Sequence, residues 1–282
     1  MKPIQSIVVC GAGTMGSGIA QVAIQAGIKT IQFDLSETAL AKSKVQIHTQ
    51  INRLVKKGKI SEAEQNHILE LIHFSSDIAD CKADIIIEAI IEKKDAKIEL
   101  FNKIAAFNDP TTIFATNTSS ISVNEIAVGL SNPSMLVGMH FFNPAPIMKL
   151  VEVIKGHQSC STAIDRVIAL TKTMGKVPVL CKDAPGFIVN RVARHYYLEA
   201  MEMVDKGLTD IESVDAIMEA TGFKMGPFKL MDLIGMDINY SVSNIVWEAL
   251  GKPERLTPSP LQKEKVDKGL LGKKAGEGFY KY

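Results

Sequence analysis

Cysteine and surplus charge are both scarce in this sequence, and each shortage closes off a class of protein. The four cysteines, Cys10, Cys81, Cys160 and Cys181, are scattered and form no C-x-x-C pair. Such spacing supplies neither a disulfide framework nor a zinc site, so reduced, buried thiols and a cytoplasmic location are expected. His48, His67 and His73 have no matching acidic partners, are expected on helix or loop surfaces, and lead to no metal assignment. Lysine and arginine total 32 against 31 acids, a formal net charge of +1. That balance gives no general attraction to nucleic acid or membrane, so any anionic ligand has to be held locally. No apolar run approaches the ~18 residues of a membrane span. Glu88 interrupts the best candidate, IIIEAII, and the run Ile7-Val8-Val9-Cys10 is too short for a signal peptide.

What is present begins with a glycine turn. IQSIVVC at 4–10 is a short β-branched run that stops at Gly11, and Gly11-Ala12-Gly13-Thr14-Met15-Gly16 opens a segment with helical apolar spacing. Gly27 marks its end, and Thr30-Ile31-Gln32-Phe33 forms a second run that stops at Asp34. Strand, glycine turn, helix, strand and acid in that order make a dinucleotide-binding unit. Gly11 allows the tight turn, Gly13 lets backbone approach a pyrophosphate, and Gly16 lets the helix pack on the strand. Thr14 and Met15 lie inside the same turn. Asp34 accepts hydrogen bonds from a ribose and repels a 2′-phosphate, which favours NAD over NADP.

The spacing continues as alternating elements. Ser36 caps an amphipathic helix to about Lys57, and Ser61 with Glu64 has capping-box spacing for a second one at 61–71. The apolar run at 84–90 reads as a strand buried on both faces, followed by a helix near 94–107 and a strand at 112–116. This rhythm predicts a Rossmann-type doubly wound α/β sheet with its ligand outside the strand C-termini. Glu92, Lys97 and the loop Asn117-Thr118-Ser119-Ser120 all fall at that edge; Ser119 also suits a helix N-cap. The basic end of the first long helix, Arg53, Lys56, Lys57 and Lys59, is either a solvated helix terminus or a dock for a phosphorylated substrate tail.

The stretch GMHFFNPAPIMKLVEV at 138–153 holds His140 and Glu152, twelve residues apart. That separation is too long for one helix face but suits facing positions on two adjoining extended segments. If the two meet, an imidazole held there by a carboxylate is a general base; otherwise they are an ordinary strand-end histidine and an unrelated glutamate in a half-buried strand. A helix at 162–174 and a strand at 176–180 complete the first domain, 1–183. Residues 184–282 read as an all-helical C-terminal domain, with long helices over 186–250, Val189, Val192, Tyr196, Ala200 and Met203 on one face, and Gly207 and Gly222 as stops. Asn190 falls in the first turns of this region. Its amphipathic helices suit substrate closure and a homodimer, and the tail 272–282 reads as a turn pinned by Phe279 and Tyr280.

Seven strings carry a family resemblance: GAGTMGSGIAQ at 11–21, EAIIEKKDAK at 88–97, ATNTSS at 115–120, HFFNPAPIMKLVEVI at 140–154, KDAPGFIVNR at 182–191, MGPFKLMDLIGMD at 225–237 and GKKAGEGFYKY at 272–282. On these the sequence resembles the L-3-hydroxyacyl-CoA dehydrogenase family, in its bacterial 3-hydroxybutyryl-CoA branch. The resemblance implies an NAD-dependent oxidoreductase acting on a CoA thioester. His140 and Glu152 become the catalytic pair, with Ser119 and Asn190 at the substrate's reacting centre. Glu92, Lys97, Asn117, Ser119, Asn143 and Lys274 join the glycine turn and Asp34 at the cofactor, and Lys57 becomes a CoA contact, with Gln50 where the family often has a serine. Two other readings stand beside it: a β-hydroxyacid dehydrogenase acting on a small non-CoA acid, and a non-catalytic NAD-binding protein.

Overall fold

The first apolar run becomes β1 (Ser6–Cys10), four of whose five residues are buried, and each later apolar run in the first part of the chain adds a strand beside it. In the computed structural model, which describes residues 3–282, the chain divides into two compact units, one ending at Asp183 and one running Ala184–Tyr282. The first unit runs β1, α1 (Thr14–Gln25), β2 (Lys29–Phe33), α2 (Glu37–Lys56), α3 (Glu62–Glu70), β3 (Ile72–Ser75), β4 (Ile85–Glu88), α4 (Lys94–Ala105), β5 (Ile113–Thr116), α5 (Val123–Ala127), β6 (Leu136–Phe141), β7 (Leu150–Lys155), α6 (Ser161–Thr173) and β8 (Val177–Lys182).

These strands form one sheet of order β3-β2-β1-β4-β5-β6-β7-β8. Six strands are parallel, β7 reverses against β6, and β8 follows β7. The chain leaves β1 in one direction toward β2 and resumes on its other side with β4, which makes the β1/β4 boundary the switch point where such sheets bind ligands. Ile85, Ile86 and Ile87 are fully buried because the sheet is covered on both faces. Burial of this kind stabilises by about 1.5–3 kcal/mol per side chain. Ser36 and Ser61 cap α2 and α3 as their spacing predicts, the latter in a complete capping box.

One strand of this sheet has no counterpart in the sequence reading. β3 is a four-residue edge strand, and it carries His73, which therefore sits exposed on a strand and not on a helix or loop. An edge strand this short, half polar and bonded on one side only, has too weak an alternation to announce itself.

The second unit is helical: α7 (Val189–Asp205), α8 (Ile211–Ala220), α9 (Pro227–Ile234), α10 (Met236–Ala249) and α11 (Pro260–Asp267). Positive-φ Gly207 and Gly222 lie just past the ends of α7 and α8, where a left-handed residue terminates a helix. The helices are shorter than the spacing suggested, and the buried face of α7 is rotated. Arg194, Tyr197, Leu198, Ala200 and Met201 are its buried residues, whereas Val192 is 65% exposed and Met203 37%. α7 carries apolar residues on more than one face, and periodicity cannot tell which of them meets the core. The tail is held through backbone: Phe279 and Tyr280 N–H groups each donate to the fully buried Asp232 carboxylate at 2.9 Å.

Candidate active site

The glycine turn is shaped by what its missing side chains permit. Gly11 sits at φ +110°, and a Cβ on Gly16 would run into the Gly11 carbonyl, so these two allow the turn and let α1 approach β1. A Cβ on Gly13 would meet nothing within 4 Å, so this glycine keeps the space in front of α1 clear. Gly13 is also the N-cap of α1 with no side-chain cap and no acid in the first turn, which leaves the helix terminus suited to an anion. Asp34 closes the turn, accepting from the Ala12 N–H at 2.7 Å and the Ser36 N–H at 2.9 Å. Gly11, Gly13, Asp34, Ala89, Ile90 and Leu100 lie on the wall of a mainly apolar cleft of about 680 Å³. Open glycine backbone, an uncapped helix end and a carboxylate beside an apolar slot fit an adenine dinucleotide.

At the ends of β4 and β5 lies a buried charge network. Lys97 is 1% exposed and reaches Glu88 at 2.6 Å and Glu92 at 3.0 Å. Glu88, fully buried, also accepts from the Thr116 hydroxyl at 2.7 Å. Burial pushes its carboxyl above the ordinary range despite the opposing pull of Lys97. Glu92 is pushed up by burial too, but Lys97, the Thr118 hydroxyl and the Ser119 N–H together bring it below its ordinary value. Its carboxylate gathers the following loop, taking the Ser119 N–H at 3.0 Å and the Ser120 hydroxyl at 3.0 Å. The cap of α5 is Ser122, so Ser119 serves as neither N-cap nor helix residue. In the sequence Glu88 is a break in an apolar run; its signal is a lone carboxylate where a buried strand ends.

His140 and Glu152 come together. They are register partners across the antiparallel β6/β7 pair, and His140 Nδ1 lies 2.8 Å from Glu152 Oε2. Both are buried, at 5% and 1% exposure. With Glu152 ionised and able only to accept, Nδ1 is the donor of this bond. The Phe142 ring lies beside the imidazole at 4.5 Å between centroids. Asn117 ties the loop after β5 to this point, its side-chain oxygen accepting from the Phe141 N–H at 2.9 Å. Cys181, on β8, supplies no competing nucleophile: burial, then Glu152 and Asp183, push its thiol up to about 12.

The remaining candidates fall on other elements of the chain. Asn143 is exposed in the turn after β6. Lys57 is the exposed C-cap of α2, a helix of 20 residues and hence roughly 30 Å from its Ser36 end. Asn190 and Lys274 belong to the second unit. Asn190 opens α7, with its carbonyl accepting from Arg194 Nε at 3.1 Å, and Lys274 is ion-paired with Asp237 at 2.6 Å. Among the described residues, no cluster of three or more His, Cys, Asp or Glu could hold a metal ion. No helix among them is long and apolar enough to cross a membrane.

A glycine-turn cradle at a sheet switch point, with a carboxylate-held imidazole at the same strand ends, defines the class of dinucleotide-dependent oxidoreductases. Comparison with known proteins then narrows the class. Residues 6–184 match the family model for the 3-hydroxyacyl-CoA dehydrogenase NAD binding domain, and residues 186–282 match that family's C-terminal domain. The chain belongs to the 3-hydroxyacyl-CoA dehydrogenase family, and its first unit is the NAD-binding domain of that family. It is 42% identical to the Escherichia coli 3-hydroxyadipyl-CoA dehydrogenase, covering 99% of this chain but only 59% of the relative's length. A probable 3-hydroxybutyryl-CoA dehydrogenase of Bacillus subtilis is 41% identical, with 99% of this chain and 98% of that protein covered. Among solved structures, (S)-3-hydroxybutyryl-CoA dehydrogenase from Ralstonia eutropha superposes with a TM-score of 0.95 at 37% identity, covering 99% of each chain.

Proposed function

We propose that this chain interconverts (S)-3-hydroxyacyl-CoA and 3-ketoacyl-CoA with NAD, 3-hydroxybutyryl-CoA and acetoacetyl-CoA being the first pair to test. The buried His140–Glu152 contact at 2.8 Å is the observation that carries this reading. When bound, NAD accepts or returns the hydride. His140 Nε2 takes the 3-hydroxyl proton in oxidation and gives it back in reduction, while Glu152 keeps the ring oriented and supports its charged form. General base work of this kind contributes roughly 10²–10⁴-fold to rate. Ser119, on a loop drawn together by Glu92, hydrogen-bonds the substrate oxygen. Asn190 contacts the substrate near the same centre, and Lys57 meets the CoA phosphates.

Around the cofactor, Gly11, Gly13, Thr14, Met15 and Gly16 receive the pyrophosphate, and Asp34 receives the adenine ribose and selects against a 2′-phosphate. Glu92, Lys97, Asn117, Ser119, Asn143 and Lys274 complete the cofactor contacts in this reading. Lys97 does so through Glu92, since its own ammonium is enclosed. The second unit is the substrate and dimerisation domain. Val192, Leu208, Ile217, Phe223 and Leu233 are each more than half exposed, and a homodimer would cover such surface. Four free thiols suit a cytoplasmic location.

The test is steady-state reduction of acetoacetyl-CoA by NADH in the wild type and in His140→Gln. We expect turnover to fall roughly 10²–10⁴-fold with NADH affinity retained. Unchanged turnover in the variant sinks the mechanism.

A further inference from the structure

At the ends of β4 and β5 two carboxylates share one buried cation. Lys97 meets Glu88 at 2.6 Å and Glu92 at 3.0 Å, and among the described residues it is the one cation paired with either. Two ionised carboxylates on one ammonium leave an excess of one negative charge. Glu88 holds its share away from solvent: it is fully buried, and its oxygens accept from Lys97 Nζ, the Ile90 N–H at 2.8 Å and the Thr116 hydroxyl at 2.7 Å. The Thr116 oxygen in turn accepts from the Thr118 N–H at 3.3 Å, which leaves its own hydrogen for Glu88 and suits an ionised carboxylate there. One carboxylate is enough to pair Lys97. The second adds like-charge repulsion, so the excess charge has a cost.

That excess lies against the cofactor cleft. Ala89, Ile90 and Ile91, directly after Glu88, line the cleft of about 680 Å³, and Glu92 accepts from the Ser119 N–H at 3.0 Å. In the function proposed above, on which this inference rests, Ser119 meets the substrate oxygen. The nicotinamide has to reach the neighbouring carbon for hydride to pass. Its ring is cationic when oxidised and neutral when reduced. A fixed charge within about one screening length, ~8–10 Å, attracts the first form and is nearly indifferent to the second.

We propose that the Glu88–Lys97–Glu92 group makes the protein sense the oxidation state of its cofactor. Its excess negative charge raises affinity for the cationic oxidised nicotinamide relative to the neutral reduced one, and Glu88 acts from behind the cleft wall without touching the ligand. Asp34 is the contrasting carboxylate. The proposed function puts it at the adenine ribose, a part of the cofactor that is the same in both forms.

The test measures dissociation constants of NAD+ and NADH in binary complexes, without acyl-CoA. Glu88→Gln keeps the shape and removes the excess charge, and is expected to lower the ratio of NAD+ affinity to NADH affinity by roughly 3- to 10-fold. A Glu88 that only supports the fold would weaken both forms alike; a wild-type ratio in the variant overturns the proposal. Should Glu88→Gln fail to fold, Glu92→Gln removes the same charge from the more exposed carboxylate and is expected to move the ratio in the same direction. An unmoved ratio there overturns the proposal equally. Asp34→Asn is expected to weaken both forms together, and a change in ratio as large as that of Glu88→Gln would trace the effect to total charge and overturn the proposal. Failure of the wild type to reduce acetoacetyl-CoA would sink the dehydrogenase reading instead, a result on which the binding ratio does not depend.

Discussion

Two buried carboxylates, one in each unit, do different work. Glu152 is 1% exposed and spends a short contact on a group that can lose its proton, the His140 imidazole at 2.8 Å. Asp232 is fully buried and receives only groups that keep theirs: two backbone N–H groups at 2.9 Å and the Tyr282 hydroxyl at 3.2 Å. Burial is alike in the two; the partners differ. Asp215 repeats the second pattern, accepting the Phe228 and Lys229 N–H groups and the Tyr280 hydroxyl, which burial and this carboxylate hold far above its ordinary value. A carboxylate that faces non-titrating donors is a staple, and one that faces an imidazole is, in the function proposed above, the partner of a general base.

This contrast can be broken by experiment. Glu152→Gln should lower turnover by roughly 10²-fold or more while leaving the melting temperature nearly unchanged, because the amide keeps the shape and still accepts from Nδ1. Steady-state rates over a pH series check it, and a wild-type rate and profile would make Glu152 a bystander. Asp232→Asn should show the reverse. Replacing one acceptor oxygen with a donor sets an N–H against Phe279 or Tyr280, at a cost of about 2–4 kcal/mol. Denaturant unfolding measures that loss, and turnover corrected for the folded fraction should survive. If Asp232→Asn instead kills turnover at unchanged stability, the division between staple and proton partner fails.

Most of the α/β architecture could be read from the residues because its signals are local. The glycine turn, Asp34, the Ser36 cap, the Ser61–Glu64 capping box and the unbroken Ile85–Ile87 run each depend on neighbours within a few positions. The pairing of His140 with Glu152 also had a local basis, since an even separation across a turn can place two residues opposite one another. What escaped depended on tertiary context. The edge strand β3 exists because β2 offers it a partner, and nothing in Ile72-His73-Phe74-Ser75 demands extended structure. The buried face of α7 was misjudged because two stripes compete and only α9 and α10 decide between them. Glu88 looked like an interruption until Lys97 and Thr116 closed around it. Asp215 and Asp232 were silent for the same reason, their donors lying as far as 65 residues away.

The smallest expected effect comes from a pair that belongs to neither pattern cleanly. Glu88 and Glu92 share Lys97, yet burial leaves Glu88 above the ordinary carboxylate value while Lys97, Thr118 and Ser119 draw Glu92 below it. The two therefore pull stability in opposite directions with pH. Glu88 contributes fully below its unfolded value and loses that contribution as pH rises through its raised folded one. Glu92 contributes above its unfolded value of 4.5 and loses that contribution as pH falls through its lowered folded one. Because the Glu92 side chain is 38% exposed, solvent screens its share and the effect should be modest. Denaturation midpoints of wild type and Glu92→Gln should differ above the ordinary carboxylate range and converge as the solution is acidified. A gap that stays constant with pH would mean that Glu92 holds the Ser119 loop by shape alone, and its charge would then have no part in setting the geometry beside His140.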